Sequence, residues 1–67
     1  MRAKFNIGNT AWVGYGNSIY PCRVISRRME YNGYVYQVAF DGMDGDYFYR
    51  EKDMSNTLQG ATRRLRR

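Results

Sequence analysis

Histidine is absent from this 67-residue chain, and cysteine, proline and tryptophan each occur once. Each scarcity removes a class of chemistry. Without histidine and with a single thiol there is no Cys/His zinc site, no disulfide framework, and no Ser–His or Cys–His catalytic pair. Cys22 fits a reducing compartment and reads as a small buried apolar group. A nucleophilic role would need an activating base, and none is evident. No apolar run approaches the roughly 18 residues of a membrane-spanning helix, and no charged-then-apolar leader is present. Opening at Met1, the chain is expected to be a complete small intracellular protein, cytoplasmic or nuclear, with no membrane partner.

Other absences narrow the reading further. The seven glycines show no phosphate-loop spacing. Asp41, Asp44 and Asp46 sit in a glycine-punctuated turn, but the spacing of a calcium loop and its flanking helices are missing. They read as solvated turn residues. No paired-carboxylate site is indicated either. No metal, no cofactor and no enzymatic activity are expected.

What is present is charge of a particular distribution and many aromatic rings. The formal net charge is +5. Between Lys4 and Leu58 the basic residues Lys4, Arg23, Arg27, Arg28, Arg50 and Lys52 are matched by Glu30, Asp41, Asp44, Asp46, Glu51 and Asp53. The excess therefore lies in Arg2 and in Arg63, Arg64, Arg66 and Arg67. Residues 59–67 are expected to form a flexible basic tail, because Gln59-Gly60 breaks the chain and Gly-Ala-Thr offers little to pack. Such an arm suits a polyanion, with a solubilising frayed end as the plain alternative.

Short alternating runs indicate strands rather than helices. Thr10–Tyr15 puts Ala11, Val13 and Tyr15 on one face and Trp12 on the other. Ile19–Arg28 puts Tyr20, Cys22 and Val24 on one face and Arg23, Ile25 and Arg27 opposite. Asn32-Gly33 is expected to form a two-residue type I′ hairpin turn. Tyr34, Tyr36, Val38 and Phe40 then share a face. Asp46–Arg50 supplies a fourth strand, Glu51–Met54 a helical turn, and Ser55–Leu58 a short closing strand. A chain of this size must curl such a meander to bury one face and protect its edges. The expected fold is all-β: a five-stranded antiparallel SH3-like barrel over residues 4–58, monomeric, with Tyr36 and Phe48 in its core.

The residues also resemble a known family. Phe5-Asn6-Ile7-Gly8-Asn9-Thr10-Ala11-Trp12-Val13 is similar to the opening of Tudor-like barrels. Ile19-Tyr20-Pro21-Cys22-Arg23-Val24-Ile25 resembles their second strand, as in chromo-barrel domains. Val38-Ala39-Phe40-Asp41-Gly42-Met43-Asp44-Gly45 resembles the third strand and its turn, and Glu51-Lys52-Asp53-Met54 the closing acidic turn. The resemblance implies a Tudor-like barrel with an aromatic mouth that holds a methylated Lys or Arg. It places Tyr15, Tyr20 and Phe40 on three cage positions and Met43 on the fourth. The family's ligand-bonding Asn aligns with Gly45, with Asp44 or Asp46 as a substitute.

Three readings of function follow. The first is a nucleic-acid or nucleoprotein binding module. Its aromatic mouth (Tyr15, Tyr20, Phe40, Met43, Asp44 and Trp12) stacks bases or an Arg side chain, while Arg23, Arg27, Arg63, Arg64, Arg66 and Arg67 contact phosphates. The second is a reader of methylated Lys or Arg peptides. The third is a protein adaptor or inhibitor docking through an exposed aromatic patch. Trp12 is either an exposed contact residue or covered by a terminus.

Overall fold

The apolar alternation read above sets one buried face, and the sheet curls around it. The computed structural model describes the backbone of residues 3–65 and the side chains of residues 3–63. Its strands are β1 (Thr10–Tyr15), β2 (Ser18–Glu30), β3 (Gly33–Ala39), β4 (Tyr47–Arg50) and β5 (Met54–Ser55). A 3-10 turn, Glu51–Asp53, precedes β5, and a helix, α1 (Leu58–Leu65), follows it. All pairings are antiparallel, in the order β4-β3-β2-β1-β5, so the last strand returns to lie beside the first. The result is a curled, barrel-like half-cylinder of sheet. Its core is Ala11, Val13, Cys22, Val24, Tyr36, Val38 and Met54, closed by Phe5.

The curl has a local cause. Val24 pairs with Val38 but Ser26 pairs with Gln37, so Ile25 is an extra residue on β2. Such a bulge bends its strand and increases the twist. It also reverses the alternation: beyond it, Arg27 rather than Ser26 stands beside the buried Tyr36. Arg23 and Arg27 therefore lie on opposite faces of the sheet, and the shared face expected from strict alternation is not formed.

Arg27 instead secures the N-terminal segment. Its Nη1 donates to the Phe5 carbonyl at 3.0 Å and to Asn6 Oδ1 at 2.8 Å. The Phe5 ring meets the Tyr36 ring edge-on, with centroids 5.4 Å apart. The Tyr36 hydroxyl accepts the Phe5 N–H at 3.2 Å and donates to Glu51 Oε2 at 2.6 Å. That same carboxylate oxygen accepts the Lys4 N–H at 2.9 Å. Gly8 and Asn9 complete the closure by bonding the backbone of Val24 in both directions, at 2.8 and 2.9 Å.

Three expectations need correction. The β2–β3 turn falls where anticipated, but Glu30 pairs with Gly33, so Tyr31 and Asn32 are its central residues. Neither has positive φ, and Gly33 alone takes φ 119°, so a type I′ turn is not formed. Phe48 is 56% exposed because β4 turns Tyr47 and Tyr49 inward. The segment expected to be a flexible tail is helical as far as Leu65. Thr57 caps it, its Oγ1 accepting the Gly60 N–H at 3.0 Å. The small residues that suggested poor packing are what permit close approach. Ala61 is buried, and a Cβ on Gly60 would meet Thr57 Oγ1 at 3.1 Å and Ser55 Cβ at 3.4 Å.

Two outcomes follow. Replacing Ala61 by Leu forces α1 off the sheet, and Trp12 fluorescence is expected to shift to longer wavelength. Alkali should also destabilise the fold. Burial raises the Cys22 thiol from 9.0 to about 11, and burial chiefly raises Tyr36 (with help from Glu51) and Tyr49. A raised folded-state pKa gives stability that is intact below the unfolded pKa and lost as pH climbs through the folded one. Urea midpoints are expected to hold to about pH 9 and fall toward pH 11, Cys22 contributing about 2–3 kcal/mol of the loss. Cys22→Ala should retain only the tyrosine part.

Candidate aromatic binding site

At the end of the sheet away from Phe5, inward-facing rings outnumber the aliphatic groups that could cover them. Tyr15 continues the inward series of Ala11 and Val13, and Tyr20 stands opposite Val13. Phe40 extends the inward series of Tyr36 and Val38, while β4 contributes Tyr47 beside Val38 and Tyr49 beside Tyr36. With Met43 these residues enclose an open cup of about 280 Å³. Phe40 meets Tyr47 and Tyr49 edge-on, at 5.2 and 6.3 Å between centroids.

The cup has a supported wall and an open lip. Phe40, Tyr47 and Tyr49 are half-buried against the core, whereas Tyr15 is 73% exposed and Tyr20 44%. The β3–β4 loop forms part of the rim. Its turn is closed by Met43 N–H donating to the Phe40 carbonyl, with Gly42 at φ 73°. That positive φ is what a type II-like bend requires at its third residue. The Tyr47 hydroxyl donates to the Asp44 carbonyl at 3.3 Å, tying the loop to the cup. The carboxylates of Asp41 and Asp44 are left to solvent, and that of Asp46 accepts the Gln37 amide at 3.0 Å.

The structure thus brings together Tyr15, Tyr20, Phe40 and Met43, and places Asp44 on the rim. Trp12 belongs elsewhere. It points to the outer face of β1 and lines a second groove with Gly14, Asp53, Ser55 and Ala61, which meets the cup only at Tyr49, and α1 lies beside it. Tyr47 and Tyr49 are the residues that sequence reasoning missed. The signal was available: alternation within Asp46–Arg50 puts the two tyrosines on one face and Phe48 on the other.

The basic residues do not converge on the cup. Arg23 stands outside the sheet in a depression it shares with Thr10 and Asp41. Arg27 is committed to Phe5 and Asn6. Arg63 is exposed on α1. The side chain of Arg64, and Arg66 and Arg67 altogether, lie outside the described residues. No helix among the described residues is long and apolar enough to cross a membrane.

Comparison with known proteins finds no matching family model, curated protein or solved structure.

The difference between lip and wall is measurable. Tyr15→Ala is expected to change stability by no more than about 0.5 kcal/mol, as an exposed substitution does. Phe40→Ala and Tyr49→Ala remove partly buried rings and should each cost about 1–3 kcal/mol in urea unfolding.

Proposed function

We propose that this chain is a non-enzymatic binding module, a Tudor-like SH3-type barrel whose aromatic cup takes a cationic side chain from a partner protein. The observation that carries the proposal is the convergence of five rings and one thioether around a cup with Asp44 on its rim. Ring faces attract a cation by their quadrupole, most strongly when its hydration is weak, as in methylated Lys or Arg. The exposed Asp41 and Asp44 add long-range attraction of the same sign. Both features disfavour a phosphate at this position, so the cation reading outranks base stacking in the cup. The fold-family assignment is supported by the return of β5 to β1, by the 3-10 turn ahead of β5, and by the ordered likeness of residues 5–54 to Tudor-like barrels.

The test is an NMR titration of the intact chain with trimethyl-lysine and dimethyl-arginine peptides beside their unmethylated forms. The methylated peptides are expected to move the amides of Tyr15, Tyr20, Met43 and Tyr47. Tyr20→Ala should weaken binding about 2- to 30-fold, the range of one cation–π contact. Equal, weak shifts from all peptides would overturn the methyl-reading assignment, and stronger shifts from an oligonucleotide at these same residues would favour base stacking.

A further inference from the structure

A second surface lies at the opposite end of β3, where the strand begins at Gly33. Lys4, Arg50 and Lys52 line a groove of about 650 Å³ there, together with Asn32, Gly33 and Tyr34. Glu51 is the acid within it, and its carboxylate is already engaged by the Tyr36 hydroxyl and the Lys4 N–H. Among the described residues the one ion pair is Arg28–Glu30 at 2.6 Å. Lys4, Arg50 and Lys52 therefore have no carboxylate of the described residues within ion-pair distance. The Lys4 ammonium instead lies 5.6 Å from the centre of the Phe5 ring.

The groove is continuous with the outer face of the sheet. Arg50 pairs with Val35, and Val35 with Arg28, so both arginines stand on that face. Two residues before Arg50, on the same side of β4, is Phe48, 56% exposed and beside Gln37. A single exposed ring is unremarkable alone. A ring on a sheet face that runs into a row of cations is a stacking platform with an electrostatic track beside it. The track has an end: Asp46, held by Gln37, lies two residues beyond Phe48 toward the acidic loop.

We propose that this groove and the adjoining outer face of β2–β4 bind a single nucleic-acid strand, with phosphates on Lys4, Arg50 and Lys52 and a base on Phe48. An acidic peptide would satisfy the cations and leave the ring uncovered. A polyanion that carries flat bases uses both. Duplex DNA would present its phosphates but keep its base faces stacked away from Phe48, so the geometry selects an unpaired strand. The site shares no residue with the aromatic cup and does not depend on the reading given for it.

The experiment titrates the full-length chain with a short oligothymidylate and, separately, with inorganic polyphosphate. Oligothymidylate is expected to shift the amides of Gly33, Tyr34, Phe48 and Lys52. Three phosphate contacts on a single strand should give log K a slope against log salt of about −2. R50E/K52E, two exposed substitutions whose amide spectrum verifies folding, should weaken oligothymidylate at least tenfold and leave methylated-peptide binding to the cup unchanged. Phe48→Ala should weaken oligothymidylate about 5- to 100-fold and leave polyphosphate unaffected. Unaltered binding by R50E/K52E, or shifts confined to α1 and the cup, would overturn the proposal. Equal tolerance of Phe48→Ala by both probes would reduce the groove to a bare polyanion site and overturn the nucleic-acid assignment.

Discussion

The extra residue at Ile25 is the constraint on which the rest of the molecule depends. A flat 13-residue β2 could pair with β1 and β3 but would leave one face of a three-stranded ribbon open to water. The bulge bends β2 between its two pairing partners. Its first half then belongs with β1 and its second half with β3, and the two halves face each other across Val13, Val24, Val38 and Met54. The half-turn of alternation that the bulge introduces also decides the fate of Arg27. An arginine that strict alternation would put on the outer face instead brings its guanidinium to the Phe5 carbonyl, where it satisfies an acceptor at the closed end of the core while staying largely exposed.

The two ends of the sheet solve the problem of a small core differently. At one end Phe5 plugs the opening, and its backbone N–H and C=O are taken by Tyr36 and Arg27. A buried tyrosine is tolerable there because its hydroxyl has both a donor and an acceptor as partners. At the other end no segment among the described residues supplies a plug. The rings that would have been covered remain as walls, graded from half-buried Tyr49 to the largely exposed Tyr15. The aromatic cup is thus a consequence of closing the described chain at one end only. Its supported side packs against the core, and its open side is exposed.

Much of this was legible in the residues, and the failures have physical reasons. The four long strands are seen by their period-two alternation, which turns Tyr15, Tyr20 and Phe40 inward, whereas Met43 lies in the β3–β4 loop and was grouped with them only through the resemblance to Tudor-like barrels. The bulge was invisible, because Ile25 is as good a strand former as the residues around it and nothing marks it as extra. Arg27, the residue beyond it that was given a face on β2, was therefore assigned to the wrong one. Phe48 was misjudged by treating an aromatic as core on identity alone, when its neighbours Tyr47 and Tyr49 already claimed the inner face. The helix was missed because its signal lies in Thr57 as a cap, and because glycine and alanine were read as unable to pack. On a sheet surface, small side chains shorten the distance between backbones.

Charge shows the same division between the ends. The body is neutral in sum, yet the residues of each sign are separated along β3. Asp41, Asp44 and Asp46 lie beside the cup with Arg23 as the nearby base, while Lys4, Arg27, Arg28, Arg50 and Lys52 lie toward the other end, with Glu30 and Glu51 engaged locally and Asp53 following Lys52 in the 3-10 turn. Seven residues of strand span about 20 Å, more than twice the roughly 8 Å screening length at physiological salt. The two ends therefore act on their surroundings as separate fields rather than cancelling. A neutral composition is compatible with an acidic loop beside the cup and a cationic groove at the other end of one small sheet. The net charge carried by the chain termini adds a background that favours polyanions, but it does not select which end of the sheet they meet.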